Sequence, residues 1–163
     1  MNFQGVTTIR ISDFLNEIGI RVVPGNVPDD TFLPGILVDG DSLVVDEAKL
    51  KYPGDLLHEA GHLAVVTPER RKALYNDVSK NAGDELAALA WSWAALQHLQ
   101  LPPDEVFHPN GYKGESAWLI EIFSSGGDIG VPLLQYMGMT TERNKNADPD
   151  AITFPRMSKW LRE

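Results

Sequence analysis

The chain has 163 residues, with 14 Lys+Arg against 23 Asp+Glu, a net charge of -9 and no cysteine. That length suits one domain with a core of its own, and the charge argues against a phosphate-tracking nucleic-acid binder and against docking on anionic lipid by charge alone. Without cysteine there is no disulfide framework, no thiolate metal site and no cysteine nucleophile.

In chain order, Ser12 reads as the cap of a short helix over 12–20, with Phe14, Leu15 and Ile18 at helical spacing and Gly19 near its end. The Pro- and Gly-rich passage 23–28 reads as loop. Two short apolar runs, 35–38 and 42–45, flank Asp39-Gly40 and predict a β-hairpin. Asp55 is placed to cap a helix over 56–66 that Pro68 ends. A charged helix is expected over 68–78, with Pro68 in its first turn. Asn81 opens the longest helical pattern, 82–99, which is apolar on almost every face, as buried helices are. Pro102-Pro103 stops it.

Further helices are expected over 116–123 and 131–137, separated by Gly126-Gly127. The tail from Asp148 is expected to pack through Phe154, Met157, Trp160 and Leu161. Trp91, Trp93 and Trp118 read as core. The expected architecture is one domain over residues 1–163, of α+β class: a small hairpin-containing sheet on a mostly helical body. The N-terminus lacks a basic segment followed by an apolar core, and the longest apolar stretch, Leu86 to Leu96, is broken by Ser92. No secretory signal and no membrane span are expected, and the expected location is cytoplasmic.

The chemistry lies in His58-Glu59-Ala60-Gly61-His62. Residues four apart on a helix lie on one face, one turn apart, so His58 and His62 can aim two imidazoles at one ion. Neutral imidazole is a good zinc ligand. Glu59, next to a ligand, can take the proton of a water held by the metal without binding the metal itself. With 4 His and 10 Glu in the chain, composition alone would produce this pattern with a probability of about 0.006. The plain alternative is two histidines on an amphipathic helix with no metal. Gly61 costs a helix about 1 kcal/mol against alanine, and close packing is one compensation.

Catalytic zinc usually takes three protein ligands, so a third is needed. Glu85 is the first choice, because a carboxylate at the start of a buried helix needs a partner and a dication suffices. Asp84 is the alternative, although it also suits the helix dipole as an ordinary N-terminal acid. His98 lies 13 residues, roughly 20 Å, along the same helix from Glu85 and cannot share its ion. It reads as a helix C-terminal histidine. His108, in a loop, could hydrogen-bond a reacting oxygen but reads more simply as exposed. Tyr75 and Tyr112 are further oxyanion-donor candidates, with no spacing to choose between them.

A hairpin, then a helix with His58-Glu59-Ala60-Gly61-His62, then a buried helix opening with Glu85-x-x-Ala88-x-x-Trp91 and ending near Leu101-Pro102, resembles the minimal gluzincin-type zinc metallopeptidases. Among them it is most similar to the domain named after ImmA and IrrE. The resemblance covers residues 35–103, and residues 104–163 have no counterpart in it. It implies a zincin-like fold with the motif on a central helix, and a zinc peptidase or a regulatory relative. The expected function is thus a zinc-dependent hydrolase acting on a peptide or protein. His58, His62 and Glu85 are expected to hold Zn2+, with Glu59 as general base. The rival is a metal-binding regulatory or interaction domain with little turnover.

Overall fold

The computed structural model describes residues 2–78, 81–143 and 148–163. Helix α1 (Val6–Ile18) buries Ile11, Phe14 and Leu15 at helical spacing and ends at Gly19, whose φ of 106° lets its N–H reach the carbonyls of Leu15 and Asn16. It starts six residues before the expected point. Ser12 therefore lies mid-helix and buried rather than capping.

Strands β1 (Arg21–Pro24), β2 (Ile36–Asp39) and β3 (Ser42–Val45) form a sheet in the order β1-β3-β2. The expected hairpin is present as the antiparallel β2–β3 pair, while β1 runs parallel to β3. The residues read as loop from position 23 thus include the end of a strand. Pro24 is tolerated there because β1 lies at the sheet edge, where a missing N–H leaves no ladder bond broken. Val22, Ile36, Val38, Leu43 and Val45 alternate onto one face and are buried against the helices.

Helix α2 (Asp55–Ala64) carries the motif and is buried along its whole length. It packs on α4 (Ala82–Leu99). Asn81 caps α4, accepting from the Asp84 N–H at 2.9 Å. Gly61 is where the two helices touch: a Cβ there would lie 3.0 Å from the Ala88 carbonyl oxygen and 3.3 Å from its Cα. That close approach compensates the helix cost of the glycine. Ser92 reinforces the contact, donating to the Ala88 carbonyl at 2.7 Å and reaching the Leu57 carbonyl at 3.3 Å. Leu56, Leu57 and Leu63 are fully buried, each worth roughly 1.5–3 kcal/mol over exposure.

Helix α3 is short (Pro68–Lys72), capped by Thr67. The charged helix expected to reach residue 78 stops there because its continuation meets the sheet edge: Tyr75 bridges Asp39, and the Asn76 N–H donates to the Val38 carbonyl. Arg71 of α3 donates to the carbonyls of Leu63, Val66 and Arg162. It thereby ties the end of the motif helix to the tail. The tail packs as expected, with Phe154 buried and Met157, Trp160 and Leu161 against the core. The Trp160 carbonyl accepts from the Trp91 indole N–H at 2.9 Å.

Helices α5 (Pro103–Val106), α6 (Ser116–Ser124) and α7 (Val131–Tyr136) complete the described elements, with a single 3-10 turn at Tyr112–Gly114. Trp91 and Trp93 are buried, but Trp118 is 51% exposed on α6 and is not core. Leu119 and Phe123 are the buried apolar side chains of that helix, beside a buried Ser116. Among the described residues no helix is long and apolar enough to cross a membrane.

Candidate metal centre

Helix α2 places His58 and His62 one turn apart, their rings 5.0 Å between centroids and nearly perpendicular. Glu85, in the first turn of α4, reaches them across the interface that Gly61 makes tight. Glu85 Oε2 lies 2.6 Å from His62 Nε2, and Glu85 Oε1 lies 3.7 Å from His58 Nε2. One ligand atom from each of the three residues lies within 4.8 Å of the others. Ligands about 2.1 Å from a tetrahedral zinc ion sit about 3.4 Å apart, a spacing that the two observed contacts bracket.

The chemistry of the donors also fits a cation. His62 Nε2 and Glu85 Oε2 are buried 2.6 Å apart, and neither has another hydrogen-bond partner among the described residues. Buried polar atoms are rarely left so. Such a pair is satisfied by a proton shared between the two atoms or by a positive ion, and with His58 Nε2 3.7 Å from the same carboxylate an ion would serve all three donors. Burial pushes the His58 imidazole down to about 4, with Glu85 opposing and His62 and His108 reinforcing. Burial acts upward on Glu85, but its contact with His62 and its electrostatic interactions with His58, His62 and Lys113 outweigh it and hold its carboxyl below the ordinary value. A neutral imidazole and an ionised carboxylate are the forms a metal requires.

Asp84 faces elsewhere. Its carboxylate pairs with Arg70 at 2.7 Å. Glu59 is 1% exposed, with Oε1 buried and without a hydrogen-bond partner among the described residues. Burial pushes its carboxyl up to about 8, reinforced by Asp55, Glu85 and Asp77.

A cavity of about 690 Å³ opens onto His58 and Glu85, walled by Phe32, Tyr52, Asp55, His108 and Tyr112. Glu59 and His62 lie behind that wall rather than in it. His108 is not the exposed loop histidine that its position suggested. It is 6% exposed, stacks on Tyr52 at 3.8 Å and meets Asp55 Oδ1 through Nε2 at 2.7 Å. Asp55 correspondingly does not cap α2. It is the helix's first residue, and burial raises its carboxyl while His108 opposes the rise. Tyr112 places its hydroxyl 3.2 Å from His58 Nδ1. Burial raises its phenol well above the ordinary value, so it stays protonated. Tyr75 is 64% exposed at the sheet edge, away from the cavity. His98 packs at the far end of α4, tilted against Phe14 and edge-on to Trp160.

Sequence reasoning missed Asp55 as a site residue and the pairing of residues 108–112 with α2. The spacing Asp55-x-x-His58, one helical turn, was the available signal. No family model, no curated protein and no solved structure matches this chain.

Among the shifted groups, Glu59 and His58 set the pH dependence of the metal-free protein near neutrality. Glu59, raised from 4.5 to about 8, gives stability that is complete below pH 4.5 and lost as pH rises through 8. His58, lowered from 6.5 to about 4, gives stability that is complete above pH 6.5 and lost as pH falls through 4. Between pH 6.5 and 8 the Glu59 contribution acts without opposition from His58. Chelator-treated protein is therefore expected to lose about 2 kcal/mol over that interval. Urea denaturation at the two pH values measures it. Glu59→Gln should remove most of the loss, and an equal loss in the variant would assign it to other groups.

Proposed function

We propose that this chain is a zinc-dependent peptidase of the gluzincin type, similar to the ImmA/IrrE-type domain. His58, His62 and Glu85 hold the ion. The observation that carries the reading is the buried convergence of His62 Nε2 and Glu85 Oε2, 2.6 Å apart, with His58 Nε2 3.7 Å from the same carboxylate and one ligand atom of each residue within 4.8 Å of the others. Zinc bound there would supply a Lewis acid that polarises a scissile carbonyl and acidifies a water.

Glu59 is the general base in this reading. It takes a proton from the attacking water and passes it to the leaving amine. In the metal-free protein its surroundings lift this carboxyl to about 8; a bound dication would lower it again, leaving the carboxylate available to take the proton. The cavity of about 690 Å³, bounded by Phe32, Tyr52 and Tyr112, receives the peptide.

A second reading, a metal-holding domain with little turnover, is favoured by one feature: Glu59 lies behind the cavity wall. Hydrolysis of a quenched-fluorescence peptide library by zinc-reconstituted protein separates the two. Turnover that chelator abolishes and zinc restores is the expected result. Stoichiometric zinc without cleavage of any peptide would establish the second reading.

A further inference from the structure

His58 and His62 are held differently. His62 Nδ1 is buried with no hydrogen-bond partner among the described residues, whereas His58 Nδ1 faces the Tyr112 hydroxyl at 3.2 Å. The two rings meet edge to face, 5.1 Å apart and at 89°. We propose that Tyr112 is the positioning residue of His58: its phenol oxygen accepts the Nδ1–H and thereby fixes the tautomer whose Nε2 lone pair faces Glu85. The inference rests on the reading of His58 as a metal ligand. Metal-bound histidines commonly have the second ring nitrogen oriented by such an outer partner.

The backbone that delivers Tyr112 is unusual. Tyr112, Lys113 and Gly114 have φ of 58°, 53° and 80°, three successive residues in the left-handed region, two of them with side chains. That region disfavours residues bearing a Cβ, and such outliers persist where their surroundings over-determine them. Here the surroundings are specific. His108 is fastened to Asp55 at 2.7 Å. Asn110 donates to the Tyr52 hydroxyl at 2.6 Å. The Ser116 hydroxyl donates to the His108 carbonyl at 2.6 Å. Asp55 and His58 lie one turn apart on the same face of α2. The loop thus grips that face twice, through His108 at Asp55 and through Tyr112 at His58. The left-handed turn brings the second grip into register. It also turns the Tyr112 oxygen to the back of His58, which is a different task from donating to a reacting oxygen.

Tyr112→Phe keeps the ring and removes the acceptor. Zinc affinity, measured by competition with a chromophoric chelator, is expected to fall about 10–100-fold, with the circular dichroism spectrum unchanged. In metal-free protein the ¹⁵N resonances of His58 should move from the Nδ1–H tautomer toward a mixture, with those of His62 unmoved. Gly114→Ala is an independent probe: its Cβ would meet nothing within 4 Å, so it disturbs only the backbone conformation at φ of 80°. It too should weaken zinc binding, and in the double variant it should add nothing to Tyr112→Phe, because both act through one hydroxyl. Wild-type zinc affinity and an unchanged His58 tautomer in folded Tyr112→Phe would overturn the proposal. Absence of zinc binding by the wild-type protein would instead remove the underlying metal reading.

Discussion

Glu85→Ala is expected to weaken zinc binding by at least about 10²-fold, more than loss of an outer partner commonly costs, while Asp84→Ala leaves zinc binding unchanged. The two acids are adjacent in sequence but point to different partners. Glu85 spans both imidazoles at 2.6 and 3.7 Å, and Asp84 pairs with Arg70 at 2.7 Å. Removing Glu85 takes away the anionic donor of the set and leaves two neutral imidazoles, too few for a stable site. Removing Asp84 should cost about 0.3–1 kcal/mol of helix-terminus electrostatics and up to about 1 kcal/mol more for its half-exposed pair with Arg70. Chelator competition and thermal denaturation of both variants give the two numbers. Zinc lost from Asp84→Ala and kept by Glu85→Ala would show the ligand assignment to be wrong by one residue.

Glu59→Gln should retain one zinc per chain and lose peptide hydrolysis by at least the ~10²–10⁴ that a positioned proton transfer contributes. The substitution keeps the size of the side chain and removes its basic oxygen. His58, His62 and Glu85 are untouched, so the metal site stays assembled. Because Glu59 is buried among Asp55, Glu85 and Asp77, the neutral amide should also stabilise the metal-free protein above neutral pH. Loss of activity would then accompany a gain in stability, a combination that general damage to the fold does not produce. Full activity in this variant would remove Glu59 as the base. A cellular role that persists in it, with zinc bound, would favour the metal-holding reading.

What the sequence revealed follows from where the interactions are local. Helix α4 runs over 82–99 as expected, because Asn81 caps it and Gln100, at φ of 54°, ends it ahead of Pro102-Pro103. The β2–β3 hairpin was visible in two short apolar runs around a turn. The pairing of His58 with His62 followed from helical spacing alone. What stayed hidden depends on contacts between distant residues. Strand β1 is four residues long, ends in proline and is defined by parallel pairing with a strand twenty residues on. Asp55 looked like a helix cap because nothing nearby in sequence discloses His108, 53 residues away. Trp118 resembled Trp91 and Trp93 in composition, and only the packing of α6 turns it outward. The preference for Glu85 over Asp84 rested on desolvation, and the geometry adds the Arg70 partner that occupies Asp84.

The central claim is that His58, His62 and Glu85 form a metal site, and metal content measures it directly. Protein purified without an affinity tag should be stripped with chelator, reconstituted with zinc, freed of excess and analysed by mass spectrometry for metal per chain. About one zinc per chain is the predicted result, falling well below one in His62→Ala. Protein that is folded after this treatment and carries no stoichiometric zinc would contradict the account.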